Sequence, residues 1–243
     1  VLHVIDGDTL ALHGIGNARL IGIDTPELGR DGGPDAPFAV QAGEALRQLV
    51  ATSGQRIRLV AGMEKRDRHG RRLAHVYDGA GRNLNEILLR RGLAYLSIFP
   101  PNLRFLDCYA EAEAEARRAS RGLWSAPALQ AADLGENDQG FRRVAGKVQS
   151  VGRKRNTAWI ALDGGLEAHI REQDLAHFNA AMLDSLTGRR VELRGWLYRY
   201  RGKPRMRIRH PSAFIIPSLP DRRPQARAPL DPQRLRAILA AAE

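Results

Sequence analysis

The chain has 243 residues, 38 Lys+Arg against 27 Asp+Glu for a formal net charge of +11, and 43% hydrophobic residues. That is enough apolar matter for packed cores, and no apolar run reaches the roughly 18 residues that span a bilayer, so a helical membrane protein, a collagen and a wholly disordered chain are excluded. What remains is a strongly basic protein with one or two domains, whose charge points to a polyanionic partner.

In chain order, short Val/Ile/Leu-rich runs separated by Gly/Asp clusters predict strands at Val1–Ile5, Thr9–His13, Arg19–Ile23, Arg56–Ala61 and Leu73–Tyr77. The Gly/Asp/Pro-rich stretch Leu28–Pro37 predicts a mobile loop. A helix is expected from Pro37 to about Ala51, with Val40, Leu46 and Leu49 turned to the core. Further helices fit Leu84–Arg91, stopped by Gly92, and Leu103–Arg121, stopped by Gly122. Cys108, the one cysteine, falls inside the last of these and is expected to be a small buried residue. Residues 125–140 are rich in Ala, Asp, Asn and Gly and predict a linker. Strands return at Arg142–Val151, Ala158–Leu162 and Glu167–Ile170, then a helical run Glu172–Leu183, then strands Arg190–Tyr200 and Arg205–His210. Three strands, a helix and two strands is the order of an oligonucleotide-binding barrel. From Pro217 the chain holds five of its 13 prolines and predicts a tail closed by a short helix at Pro232–Ala242.

The fold expected is mainly β with α: a small five-stranded barrel carrying three helices, then a second small OB-like barrel. The expected boundaries are a first domain over residues 1–124, a linker over 125–140, a basic domain over 141–216 and a tail over 217–243.

Three fragments of the first half carry chemistry: Asp6-Gly7-Asp8-Thr9, the run Arg19 to Glu27, and Asp67 to Ala74. Each alone is weak, but together they make a reagent set for cutting a phosphodiester. Asp8 and Asp24, with the carbonyl of Thr25, could hold a hard cation such as calcium, which takes oxygen ligands. Glu27, three residues beyond Asp24, could orient or deprotonate a water. Arg19 and Arg71 could clamp the phosphate and stabilise the charge that builds on its oxygens. Arg71 is too weak an acid to be a proton donor, so its role is electrostatic. Asp6 could support Asp8 or accept turn amides, and Asp67 is expected to cap the turn before Arg71. Strict alternation from Arg19 to Asp24 sets these two on opposite faces, so the chain must leave the strand between them.

These fragments, in this order and spacing, resemble the staphylococcal nuclease family over about Val1–Trp124, half of the chain. The resemblance implies a five-stranded barrel with three helices and calcium-dependent hydrolysis of DNA and RNA that leaves 3′-phosphate ends. By similarity Asp8 and Asp24 match its metal carboxylates, Thr25 its carbonyl ligand, Glu27 its water-directing glutamate, and Arg19 and Arg71 its phosphate arginines. It also implies a secreted or periplasmic protein. The chain begins with Val1, so its N-terminus is expected to be processed or trimmed. Membrane association is expected only through an unseen leader or through the tail, whose arginines include Arg222 and Arg223. The chain departs from the family after the second helix. There tyrosines are replaced by Ala94-Tyr95-Leu96-Ser97-Ile98-Phe99, making Phe99 the candidate stacking ring. A family tyrosine is also replaced by His69. His69 and His75 are expected to be structural.

The charge is uneven. Residues 1–124 carry 17 basic and 15 acidic side chains, residues 125–243 carry 21 and 12. By parity, Val191, Leu193 and Leu197 share one face of their strand, and Arg194, Trp196 and Tyr198 the other. Met206 and Ile208 separate in the same way from Arg205, Arg207 and Arg209. Arginines interleaved with rings suit single-stranded nucleic acid, phosphates on the cations and bases on the rings. The expected partners are therefore DNA and RNA. The rival readings are a non-catalytic binding protein on a nuclease scaffold and a surface or complex anchor using the basic half.

Overall fold

The structure, a computed structural model, describes residues 1–29 and 33–217. The predicted tail helix and the tail arginines lie outside the described residues, as does Arg30–Gly32 of the predicted loop. The chain divides into two compact units, one of Val1–Tyr95 with Arg104–Ser125, the other of Leu96–Leu103 with the described residues from Ala126 on.

The first unit contains β1 (His3–Val4), β2 (Thr9–Leu12), β3 (Gly16–Leu20), β4 (Ile23–Asp24), α1 (Ala39–Thr52), β5 (Arg58–Arg66), β6 (Arg72–Tyr77), α2 (Leu84–Arg90) and α3 (Leu106–Arg118), and β7 (Tyr95–Leu96) falls on its boundary. Its barrel strands pair in the order β1-β2-β3-β6-β5, with β3 and β6 parallel and the rest antiparallel. β4 pairs separately with β7.

The helices cover the barrel with apolar stripes at helical spacing. In α1 the stripe is Ala39, Ala42, Leu46, Leu49 and Val50, all buried. Val40, expected in the core, is instead 40% exposed, because it falls about 100° from Ala39 and off that stripe. In α3 the stripe is Tyr109, Ala112 and Ala116, with the acidic Glu113 buried beside it. Cys108 lies off it and is exposed, correcting the expectation of a buried residue. Local desolvation and the Glu86 carboxylate push its thiol up to about 12, which disfavours the thiolate.

A polar knot ties α2 and α3 to β6. The Tyr109 hydroxyl shares a hydrogen bond with His75 Nδ1 at 2.8 Å and accepts one from the Asn83 amide at 3.1 Å. Asn83 also caps α2 by accepting from the Glu86 amide. Burial, helped by the charge of Arg104, depresses the His75 imidazole to about 4, so it is neutral and structural.

The second unit contains β8 (Leu129–Gln130), β9 (Gly140–Lys154), β10 (Thr157–Leu162), β11 (Glu167–Ile170), α4 (Glu172–Leu175), α5 (Ala180–Asp184), β12 (Arg190–Tyr200), β13 (Lys203–Ile208) and β14 (Phe214–Ile215). Its pairings run in a closed circuit, β9-β10-β11-β13-β12 and back to β9, with β11 and β13 parallel. β8 and β14 extend β9 and β12. Val144, Ile160, Ile170, Leu193, Leu197 and Met206 fill the inside. The predicted linker is partly built into this unit: β8 pairs with β9, and Ala131 in the following turn is buried in the core. The predicted helix Glu172–Leu183 is two short ones, because Asn179 starts a new helix by accepting from the amides of Ala181 and Met182. Among the described residues no helix is long and apolar enough to cross a membrane.

Candidate active site

The site is built where β1 turns into β2. Asp6 Oδ1 accepts from the Asp8 amide at 3.0 Å, a local turn that Asp side chains favour. The Asp8 carbonyl accepts from the Leu20 amide at 2.8 Å, fixing the turn to β3. The Asp8 carboxylate is buried and accepts from Thr9 Oγ1 at 3.1 Å and from the Thr25 amide at 2.9 Å. That second bond brings residues 8 and 25 together.

Arg19 lies opposite Thr9 in the β2–β3 ladder. Its guanidinium pairs with Asp8 through one arm and with Asp24 Oδ1 at 2.5 Å through the other. The parity difficulty is resolved by a break in the chain. β3 ends at Leu20, Gly22 takes a φ of 80°, and Asp24 belongs to the separate strand β4. Only glycine adopts that backbone readily. The break is held on both sides, since the Ile21 amide donates to the Ala74 carbonyl at 2.9 Å and the Ile21 carbonyl accepts from the Asn85 amide at 2.8 Å. Asn85 is fully buried on α2 and also accepts from the Val76 amide at 3.0 Å. Sequence reading passes over it, since an asparagine inside a helix carries no motif.

Glu27 is exposed beyond Pro26, and its carbonyl accepts from the Ala36 amide at 3.1 Å. Burial, with the charges of Glu27 and Asp6 and against that of Arg19, raises the Asp24 carboxyl to about 6. Asp6 is raised too, by burial that outweighs Arg19, Thr9 and Arg71. Glu27 and Arg71 thus both lie within electrostatic reach of the carboxylates. The parallel register of Arg19 with Leu73 puts Arg71, two residues earlier, on the same face as Arg19. Arg71 Nε donates to Asp67 Oδ2 at 2.7 Å, and Asp67 Oδ1 accepts from the Arg71 amide. Burial works against Asp67, but the Arg71 and His69 bonds hold its carboxyl below the ordinary value. His69 is exposed on this turn.

Among the described residues no three His, Cys, Asp or Glu side chains gather as a metal cluster. The donor set of this site is of another kind: the carboxylates of Asp8 and Asp24 and a main-chain carbonyl, all hard oxygen. The carboxyls of Asp6 and Asp24 are both raised chiefly by burial, to which the charges of Glu27 and Asp6 add at Asp24. Hard-oxygen donors of this kind are those that calcium takes.

The stacking and basic residues are distributed differently. Phe99 is 48% exposed and lies in the second unit, where the Arg209 guanidinium sits 4.6 Å from its ring centre; its neighbour Ile98 is buried. Trp196 is 54% exposed and Tyr198 half-buried, opposite Arg207 and Arg205 respectively. Arg194 is not on an open surface as expected. It is 4% exposed and donates to the Ser212 carbonyl, because the turn before β14 covers this part of β12. Arg205 pairs with Glu167 at 2.9 Å and Arg207 with buried Asp174 at 2.8 Å, acidic partners that strand parity alone does not disclose.

Comparison with known proteins agrees with the first unit. The family model described as staphylococcal nuclease homologue matches residues 17–126. A thermonuclease of Staphylococcus hyicus is 33% identical over 128 residues, 51% of this chain and 74% of that protein. A thermonuclease of Staphylococcus intermedius is 34% identical over 127 residues, with the same coverage. Endonuclease YncB of Bacillus subtilis is 31% identical over 125 residues, 50% of this chain and 58% of that protein. With the motifs, the barrel and these relatives in agreement, the chain belongs to the staphylococcal nuclease family.

Proposed function

We propose that this protein is a calcium-dependent, sugar-nonspecific nuclease that hydrolyses DNA and RNA to 3′-phosphate ends, with its second unit an OB-type barrel that holds nucleic acid. The observation that carries the reading is the convergence of Asp8, Arg19, Asp24 and Thr25 from three separate segments, with Glu27 and Arg71 in electrostatic reach. A calcium ion held by Asp8, Asp24 and the Thr25 carbonyl would supply positive charge to the phosphate oxygens. Glu27, open to solvent on a turn fixed by Pro26, takes the proton from the attacking water. That water forms the new bond to phosphorus, and the bond to the 5′ oxygen breaks, the leaving oxygen taking a proton from solvent, so that a 3′-phosphate and a 5′-hydroxyl remain. Arg19 and Arg71, on one face of the barrel, neutralise the charge that builds on the phosphate. Asp67 aims Arg71 by holding its Nε and leaving the outer arms of the guanidinium to the substrate. By the same family likeness the protein works outside the cytoplasm.

The test is digestion of plasmid, single-stranded DNA and RNA with calcium, with magnesium and with a chelator. Glu27→Gln and Arg71→Ala should each lower kcat by roughly 10²–10⁴-fold with calcium. Wild-type turnover in both variants would remove these residues from the mechanism. No cutting with any metal would favour a binding protein on a nuclease scaffold.

A further inference from the structure

We propose that the outer face of the second unit carries a transverse track for single-stranded nucleic acid, with Trp159 and Trp196 as its two base-stacking rings. This rests on the reading of that unit as a nucleic-acid binder, and names the strand type and residues it uses.

The track follows from ladder register. Phe141 on β9 lies opposite Trp196 on β12, Trp196 opposite Arg207 on β13, Arg207 beside His169 on β11, and His169 opposite Trp159 on β10. Residues side by side in a sheet project from the same face. The chain neighbours Leu197, Met206, Ala168 and Ala158 project inward and are buried to 1% or less, so this row is the outward one. Trp196 and Trp159 stand three strand spacings apart, about 14 Å, too far for one base and suited to two.

Two observations make the row more than a surface stripe. Trp159 faces Gly152 across the β9–β10 ladder. A Cβ on Gly152 would stand only 2.2 Å from Trp159 Cζ2 and 2.3 Å from Cε2. The indole therefore lies against the bare backbone of Gly152, in space that any other side chain there would fill. Between the two rings Arg207 is held by Asp174 at 2.8 Å, and His169 Nε2 lies 2.6 Å from Glu167 Oε1. With the Arg207 charge already paired, the row reads bases rather than phosphates. Phosphate attraction falls to basic residues at the strand ends, Lys154 and Arg155 after Gly152, and Arg201 and Lys203 where β12 turns into β13. A duplex hides its base faces in its own stack, so rings presented in this way select single strands.

The experiment uses the full chain in chelator, which prevents cutting, and a fluorescein-labelled oligo-dT 12-mer with a duplex of equal length as comparison. Trp159→Ala and Trp196→Ala should each weaken oligo-dT binding by roughly 5- to 100-fold, with little effect on the duplex. Trp159→Phe and Trp196→Phe should keep most of the affinity, and oligo-dT should quench the tryptophan fluorescence of the wild type. Circular dichroism and the thermal unfolding profile of the alanine variants should match those of the wild type, which reports that the second unit is folded. Unchanged oligo-dT affinity in both alanine variants would overturn the track. If Lys203→Glu still weakened binding in that case, the second unit would remain a nucleic-acid binder by charge alone. If wild-type affinity also survived Lys203→Glu and Lys154→Glu, the underlying reading would fall with the track.

Discussion

At the scale of single residues the active-site end is governed by where charge is buried. Arg19 answers both Asp8 and Asp24, and its planar fork is what lets one side chain serve two carboxylates. His75 shows the opposite treatment: it is buried without an acid and so must remain neutral. Its folded pKa, about 4, lies below the ordinary 6.5. Above pH 6.5 the imidazole is neutral in both folded and unfolded chains. Between 6.5 and 4 the unfolded chain takes up a proton that the folded one refuses, so stability falls as pH drops and the loss is complete below about 4. The expected loss is about 3 kcal/mol. Denaturant melts of the wild type and His75→Gln across this range should show a shallower acid slope in the variant; parallel slopes would place the acid sensitivity elsewhere.

At the scale of elements, α2 does more than cover the barrel. Through Asn85 it holds the Val76 amide of β6 and the Ile21 carbonyl at the break that sets Asp24 beside Arg19. Asn85→Leu keeps the volume but leaves two buried main-chain groups unpaired, at about 1–3 kcal/mol each. Thermal unfolding should fall by several degrees, and the calcium concentration for half-maximal activity should rise as Asp24 loses its placement. A variant with wild-type melting and calcium response would show that the break is fixed without α2. The elements also differ in how plainly the chain announces them. Glu167–Ile170 and Arg190–Tyr200 are found where expected because short runs in which apolar and polar residues alternate, bounded by turn residues, define a strand locally. Residues 129–133 read as linker because their few apolar side chains make sense only once β9 lies alongside.

At the scale of the whole molecule the charge is divided. The half holding the active-site residues is nearly balanced, since its acids include the carboxylates that would hold a cation, and most of the +11 lies beyond residue 124. Salt should therefore act on grip more than on chemistry. The KM for long single-stranded DNA should rise steeply with ionic strength, while that for a nucleoside p-nitrophenyl phosphodiester should hardly move. Lys203→Glu should reduce the first slope by about one counterion. Equal salt dependence for both substrates would mean that the basic half takes no part in substrate capture.

The sequence by itself determined the chemistry on offer and most of the secondary structure. Acids and arginines at three motifs, the 2.0 and 3.6 residue periods, and the glycines that end elements are all local signals. Tertiary structure alone decided which of those groups meet and which stay open to substrate. Asp8 reaches Thr25 because the β1–β2 turn closes on β3, and Arg19 reaches Asp24 because Gly22 breaks the strand parity. Arg194, outward by parity, is buried because the turn before β14 comes back over it. Arg205 and Arg207 are met by Glu167 and Asp174 from other segments. Parity gives the side of a strand on which a residue lies, but what covers that side is set by chain that is distant in sequence.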